Sequence, residues 1–382
     1  MYDYHMNKQE TIGIVGGGQL GRMLTLAALP LGFKVVVINP APDSPASQVG
    51  AEEIIADLYD SDALKLLAER SDYVTIEIEH LDAETLNALA AQGAQINPAP
   101  KTIKLIQDKL LQKQFLDQAG IPVASFVEIS NEESAQKALK DFDGKMLLKT
   151  RHGAYDGRGN MVVASVSDIS KAFEQFAGRQ LYAEKYVPFE KELAVMVARS
   201  INGDIATYPV VQTIHERNIC LEVLSPAPIN KSTRETAEKV AANVAELLDG
   251  AGMFGVEMFL TKDGEVLVNE IAPRVHNSGH HTIEANRTSQ FEQHIRAIAG
   301  LPLGDTSMIV PAVTMINILG ERNGTTDVNG LDAALSIPHV SVHLYGKSPT
   351  KVDRKMGHIT ATGRTLKEAQ TRARQARKHL SI

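Results

Sequence analysis

The stretch Gly255-Val256-Glu257-Met258-Phe259-Leu260-Thr261-Lys262-Asp263-Gly264-Glu265-Val266-Leu267-Val268-Asn269-Glu270-Ile271 is two apolar runs joined by a turn signal. Asp-Gly accepts the positive φ that tight hairpin turns demand, so the stretch predicts an antiparallel β-hairpin. If Asp263-Gly264 is the whole loop, counting outward from Lys262 and Glu265 sets Glu257 opposite Glu270, their Cβ atoms about 5 Å apart. A three-residue loop sets Glu257 opposite Asn269 instead, with Glu270 as the next neighbour, and the acidic cluster persists. Facing carboxylates destabilise a hairpin unless a cation or a shared proton relieves them. Mg²⁺ suits such a pair, because it takes few protein carboxylates and completes its shell with phosphate oxygens and water. Glu257 and Glu270 are therefore the expected metal ligands. The alternative is two solvated hairpin glutamates, against which stands the apolar character of the strands they interrupt.

Outward from the hairpin, Ala272-Pro273-Arg274-Val275-His276-Asn277-Ser278-Gly279-His280-His281 follows Glu270 directly. Adjacent histidines rarely share one zinc ion and no third ligand type joins them at suitable spacing, so this loop is expected to hydrogen-bond an anionic substrate. Upstream, Lys149 ends the apolar run Met146-Leu147-Leu148 and the glycine-rich, basic loop from Arg151 to Gly159 follows at once. A point charge beside mobile amides is what a triphosphate needs. No GxxxxGK[ST] occurs, so the loop is not a P-loop, and a plain solvated loop is the alternative. Lys109 falls within a helix expected over residues 102–119.

Near the N-terminus a β-branched run precedes Gly16-x-Gly18-x-x-Gly21 and a helical apolar pattern. The glycines fit a dinucleotide fingerprint, yet Asn39-Pro40 stands where an acidic residue would hold a ribose. The expectation is a smaller anion site, with amides and helix dipole accepting one phosphate and Arg22 adding charge; an unliganded tight turn is the alternative. Continuous apolar strands alternate with helices to about residue 98, which implies a parallel sheet covered on both faces. Asn97-Pro98-Ala99-Pro100 punctuates the chain, residues 125–187 alternate again, and 192–222 read mostly as strand. After a linker at 300–304, strands near 313–319 and 340–345 suggest a small β-rich cap closed by a helix.

A chain of 382 residues exceeds what one core usually organises, and three domains are assigned: 1–98, 99–300 with a lid at about 123–187, and 301–382. Hydrophobic content of 43 % with 22 % charge implies order nearly throughout. A formal charge of -7 without a Lys/Arg-rich tract argues against a nucleic-acid surface. The single Cys220, in an apolar run, is expected as a buried thiol. No run approaches the roughly 20 apolar residues of a membrane span and no signal layout opens the chain, so the cytoplasm is expected. Residues 1–5 precede a second methionine, Met6, and are left out of the fold reasoning.

Together these segments resemble the ATP-grasp superfamily, and within it the N5-carboxyaminoimidazole ribonucleotide synthetases. The resemblance is carried by Ile14-Val15-Gly16-Gly17-Gly18-Gln19-Leu20-Gly21-Arg22-Met23, by the loop Ala154-Tyr155-Asp156-Gly157-Arg158-Gly159-Asn160, and by Val268-Asn269-Glu270-Ile271-Ala272-Pro273-Arg274 with His276-Asn277-Ser278-Gly279-His280. Tyr345-Gly346-Lys347 and Arg354-Lys355-Met356-Gly357-His358 are similar to its C-terminal elements. The fold this implies is α/β and α+β: a Rossmann-like pre-ATP-grasp domain, an ATP-grasp domain and a small C-terminal β-rich domain.

Carried over by residue, the resemblance implies that Lys109, Lys149 and the loop Ala154, Tyr155, Asp156, Gly157, Arg158, Gly159 and Asn160 meet ATP phosphates. Glu184, Lys185, Tyr186 and Val187 form the adenine strand, with Glu192 on the ribose and His215 nearby. Glu257 and Glu270 hold Mg²⁺ beside Asn269. Gln19, Leu20, Glu77, Lys347 and Arg354 hold the ribonucleotide, while Tyr155, Asp156, Arg158, Arg274, His276 and Asn277 surround bicarbonate and the reacting amine. Val275 stands where the family usually has proline, which is expected to loosen the loop. The implied reaction phosphorylates bicarbonate with ATP and carboxylates aminoimidazole ribonucleotide, without biotin, in a homodimer. A sister ATP-grasp enzyme, the formate-using glycinamide ribonucleotide transformylase, is the alternative within the superfamily; a nicotinamide-dependent oxidoreductase is the alternative outside it, opposed by Asn39.

Overall fold

The computed structural model describes residues 9–153 and 159–382. Strand β1 (Thr11–Val15) buries Ile12, Ile14 and Val15 completely, as a strand covered on both faces must. Helix α1 (Gln19–Ala28), β2 (Lys34–Asn39), β3 (Glu52–Ile55), α2 (Ser61–Glu69), β4 (Tyr73–Ile76) and α3 (Ala83–Ala91) complete a parallel sheet of order β3-β2-β1-β4. This is the parallel N-terminal unit expected from the sequence.

The single helix expected over 102–119 is two helices. Asp108 ends α4 (Pro100–Gln107) in an extended conformation, and its carboxylate accepts the amides of Leu110 and Leu111 to open α5 (Lys109–Gln118). A short carboxylate competes with the helical ladder in this way and stabilises the new N-terminus by about 1 kcal/mol. Apolar periodicity continues across the break and so conceals it. Its consequence is that Lys109 occupies the first position of a helix.

The segment expected to form a lid comprises β5 (Phe126–Ile129), α6 (Glu132–Asp141), β6 (Met146–Thr150), β7 (Asn160–Val163), α7 (Val166–Gln175) and β8 (Leu181–Lys185). Its antiparallel sheet, β5-β8-β6-β7, has a core of its own around Met146, Leu148, Ile169 and Phe176. The central region follows with β9 (Phe189–Arg199), β10 (Ile205–Thr207), β11 (Val211–Glu216), β12 (Ile219–Ser225), α8 (Lys231–Leu247), β13 (Gly252–Thr261), β14 (Val266–Ala272), α9 (Thr282–Ala285) and α10 (Gln290–Ile298). The C-terminal segment adds β15 (Ala312–Leu319), α11 (Leu331–Leu335), β16 (Val340–Leu344), β17 (Lys355–Gly363) and α12 (Leu366–His379).

That segment is β-rich, as expected, and clusters Ile318, Met356, Ile359 and Leu380 into its own small core. Its strands nevertheless extend the central sheet, whose order is β14-β13-β9-β11-β12-β15-β17-β16 with β10 beside β9. Pairing β15 on β12 covers what would be a bare edge of the central sheet. On the other side, Leu20, Met23 and Leu24 of α1 share one apolar cluster with Phe291, Ile295 and Ile298 of α10, so the N-terminal unit is packed firmly against the central one.

The hairpin of β13 and β14 departs from the two-residue turn in an instructive way. Thr261 donates to the Glu265 carbonyl at 2.9 Å and Gly264, at φ 86°, donates back to Thr261, so the loop is Lys262-Asp263-Gly264. That three-residue loop pairs Leu260 with Val266 and Met258 with Val268, a register that would carry Glu257 to Asn269. A bulge between Glu257 and Met258 absorbs one residue, and Glu257 faces Glu270 after all.

Candidate active site

Four neighbouring strands each contribute a titratable side chain: Glu270 from β14, Glu257 from β13, Glu192 from β9 and His215 from β11. Burial and the facing charge of Glu270 push the Glu257 carboxyl up to about 7. His276 Nε2 lies 3.5 Å from Glu257, while Lys109 makes a close ion pair with Glu270. Among the described residues no three His, Cys, Asp or Glu side chains assemble into a metal cage. The pair is what a hard cation that brings most of its own oxygen shell requires.

Glu192 hydrogen-bonds His215 Nδ1 at 2.8 Å. Burial works against charge on this imidazole, but Glu192 and then Glu257 outweigh it and raise its pKa. On the lid, Lys149 Nζ meets Glu184 at 3.0 Å, and a second lysine, Lys113 of α5, lies 3.5 Å from the same carboxylate. Glu184, expected in the adenine strand, lies on β8 with its carboxylate enclosed by these two cations. Lys185 pairs with Asp143 at the surface, Lys145 stacks over the Tyr186 ring at 3.6 Å, and the Val187 carbonyl accepts from Phe189. Of the expected phosphate loop, Ala154, Tyr155, Asp156, Gly157 and Arg158 lie outside the described residues. Its two ends are held together: Thr150 donates to Gly159 and Asn160 pairs with Lys149 across β6 and β7.

Of the residues expected to hold the ribonucleotide, Gln19 and Lys347 meet where the N-terminal and C-terminal units touch. Lys347 makes a close contact with the Gln19 amide oxygen and donates to the Lys355 carbonyl at 2.9 Å. Arg354 donates to Pro349 from a half-buried position. Leu20 is packed into the core and offers a ligand only its main chain. The phosphate site expected at the start of α1 is already filled, because Glu77 accepts the amides of Gly18 and Gly21. Gly16, at φ 108°, makes this possible: a Cβ there would sit 2.3 Å from the Glu77 side chain. Arg22 donates to Pro45 at 3.1 Å rather than serving an anion.

Arg274 forms a two-point pair with Glu79 at 2.6 and 3.0 Å. Burial alone would raise Glu79, yet the charge and hydrogen bonds of Arg274, helped by Lys109, bring it down to about 2. The expected loosening at Val275 does not occur: its side chain is fully buried in the core shared by α1 and α10, and the loop is fixed at both neighbours. Burial, with the charges of Arg274 and Lys355, lowers His276 to about 3, so it is neutral near pH 7 and hydrogen-bonds Ser278 through Nδ1. Asn277 exchanges amide hydrogen bonds with Asn317 at 2.9 and 2.6 Å; its polar atoms hold the loop to β15 instead of facing a substrate. His280 and His281 are likewise buried and kept neutral, which corrects the expectation that they bind an anion. Cys220 is buried as expected.

Sequence reasoning gave no role to Lys113, Glu79, Lys355 or Asn317. Only Lys113 left a local signal, a second lysine one helical turn after Lys109 on a face otherwise rich in leucine. The others act across long sequence separations.

A carboxylate hairpin on a central antiparallel sheet, Lys149 on a separate four-stranded sheet with Lys109 and Lys113 on the helix before it, and an N-terminal parallel unit define a nucleotide-dependent ligase of the ATP-grasp class. Family models agree: the ribonucleotide synthetase preATP-grasp domain matches residues 9–107, the ATP-grasp domain residues 114–291, and the phosphoribosylaminoimidazole carboxylase C-terminal domain residues 313–372. The chain is 44 % identical to the solved N5-carboxyaminoimidazole ribonucleotide synthetase of Thermotoga maritima, with a TM-score of 0.89 over 98 % of this chain and 99 % of that one. It is 38 % identical to the Aspergillus clavatus N5-carboxyaminoimidazole synthase solved with ADP and 5-aminoimidazole ribonucleotide, at a TM-score of 0.91 over 96 % and 97 %. Phosphoribosylaminoimidazole carboxylase of Ogataea methanolica is 46 % identical over 95 % of this chain and 68 % of its own length. The chain thus spans about two thirds of such longer fungal and plant relatives. The chain belongs to the N5-carboxyaminoimidazole ribonucleotide synthetase family.

Proposed function

We propose that the clusters described above divide the family's reaction, the ATP-dependent carboxylation of 5-aminoimidazole ribonucleotide to its N5-carboxyamino product, between two adjoining places. Bicarbonate is the carbon source in this reading and carboxyphosphate the intermediate. The observation that carries it is the Glu257–Glu270 pair, which stands between the lysines of the nucleotide side and the Arg274–His276 loop of the substrate side. Glu257 and Glu270 fit Mg²⁺, which when bound would neutralise terminal phosphate charge and polarise the transferring phosphoryl group. Lys109 and Lys149 offset the remaining phosphate charge. Arg274, held rigid by Glu79, presents its guanidinium to the bicarbonate-derived anion, and neutral His276 offers a hydrogen bond without competing charge. Gln19 and Lys347 hold the ribonucleotide at the seam of the N-terminal and C-terminal units. Asp156 as proton acceptor and Arg158 as a further cation rest on the family resemblance, as does a cytoplasmic homodimer. Among the described residues no helix is long and apolar enough to cross a membrane.

The test is ATPase activity in bicarbonate with and without 5-aminoimidazole ribonucleotide. Strong stimulation by the ribonucleotide is expected, and none by formate with glycinamide ribonucleotide. A rate indifferent to the ribonucleotide overturns the reading.

A further inference from the structure

We propose that Lys113 is a positioning residue that keeps Lys149 available to a nucleotide phosphate by sharing the charge of Glu184. The inference rests on the reading of Lys149 as a phosphate ligand given above, and goes beyond it in naming what sets that lysine's charge free.

The geometry is specific. The two oxygens of Glu184 are taken by different cations, Oε1 by Lys113 at 3.5 Å and Oε2 by Lys149 at 3.0 Å. Glu184 and Lys113 are almost wholly enclosed, with side chains 1 % and 2 % exposed, whereas Lys149 is 12 % exposed. Lys113 also donates to the Val268 carbonyl at 3.1 Å, two residues before Glu270 on β14. Its helix touches that strand twice more, through Gln112 to the Ile271 amide and Lys109 to Glu270. Lys113 therefore ties the lid strand β8 to the hairpin strand β14 at the level of the carboxylate pair.

Two ammonium groups and one carboxylate leave a surplus of one positive charge. Lys113 is sealed in, so the surplus is expressed at Lys149, the member with access to solvent. Without Lys113, Glu184 and Lys149 would neutralise each other, and Lys149 would be drawn to bridge both carboxylate oxygens. A buried carboxylate with a single partner holds it tightly. Phosphate recognition would then weaken although no phosphate ligand had been removed.

The experiment compares dissociation constants of ATP and of adenosine, by calorimetry on the full chain, for wild type, Lys149→Met, Lys113→Met and Lys113→Met with Glu184→Gln. The ratio of the two constants isolates phosphate recognition, which a purely structural defect would not move selectively. Lys113→Met is expected to weaken ATP about ten- to a hundredfold, the loss of one nearby charge, with adenosine within about twofold. The double variant, in which Lys149 has no carboxylate to neutralise it, should recover most of the ATP affinity. If Lys149→Met leaves the ratio untouched, the phosphate reading of Lys149 fails and the inference with it. If Lys149→Met lowers the ratio but Lys113→Met does not, the positioning role alone is refuted. Should Lys113→Met not fold, the double variant decides: ATP affinity near that of wild type supports the proposal, and a persistent loss overturns it.

Discussion

Binding of the Mg²⁺ complex of ADP should expel a proton from Glu257. Burial and the charge of Glu270 raise this carboxyl to about 7, so its protonated form is the one the fold favours. The corresponding stability is complete below the ordinary carboxylate value near 4.5 and is lost as pH rises through about 7. A metal-bound carboxylate is ionised, so binding releases whatever fraction was protonated beforehand. For a group titrating near 7 that fraction is about 0.9 at pH 6, about 0.5 at pH 7 and about 0.1 at pH 8. Calorimetric titrations in buffers of different ionisation enthalpy give the proton count from the slope of apparent enthalpy against buffer enthalpy. Nucleotide already complexed to the metal has shed its own phosphate proton, and Glu257→Gln supplies the blank. A count near zero at pH 6, or one that does not fall toward pH 8, refutes the assignment of Glu257 as a metal ligand.

Replacing Glu79 by Gln removes the charge that anchors Arg274, and loss of one partner of so enclosed a pair should cost about 3 kcal/mol. Because the fold lowers Glu79 to about 2, its stabilisation is present above about 4.5 and fades as pH falls toward 2; urea titrations at pH 7, 4 and 3 should show the variant's deficit shrinking, and a constant deficit contradicts the ion pair as its source. Lys347→Met should raise KM for the ribonucleotide roughly tenfold, the loss of one charged hydrogen bond, with KM for ATP within about twofold. Equal rises in both constants would count against a site at the seam of the N-terminal and C-terminal units.

Where a residue's role follows from neighbours in the chain, the sequence announces it. The facing of Glu257 and Glu270 comes from alternation and an Asp-Gly turn, and Lys149 follows from a strand end beside glycines. Even there the pairing comes from two features that compensate, a longer loop and a bulge at Asn269, and only the loop has a signal in the sequence. Roles made by distant partners were not legible. Glu77 fills the anion site of Gly18 from 59 residues away, and Arg274 is pinned by Glu79 from 195. Asn277 is spent on Asn317 across 40 residues, and β15 finds its place only through β12. Asp108 is the local exception, since a capping carboxylate inside an unbroken apolar rhythm looks like any other helical residue.

The proposed reaction depends on a cation held jointly by the two hairpin carboxylates and the nucleotide. The most direct measurement is the ATP dissociation constant with and without Mg²⁺ in wild type, Glu257→Gln and Glu270→Gln. Mg²⁺ should tighten ATP binding at least about tenfold in wild type, a modest share of what a divalent ion contributes to phosphate binding, and by little in either variant. The same Mg²⁺-dependent tightening in all three proteins would place the metal elsewhere and contradict the account.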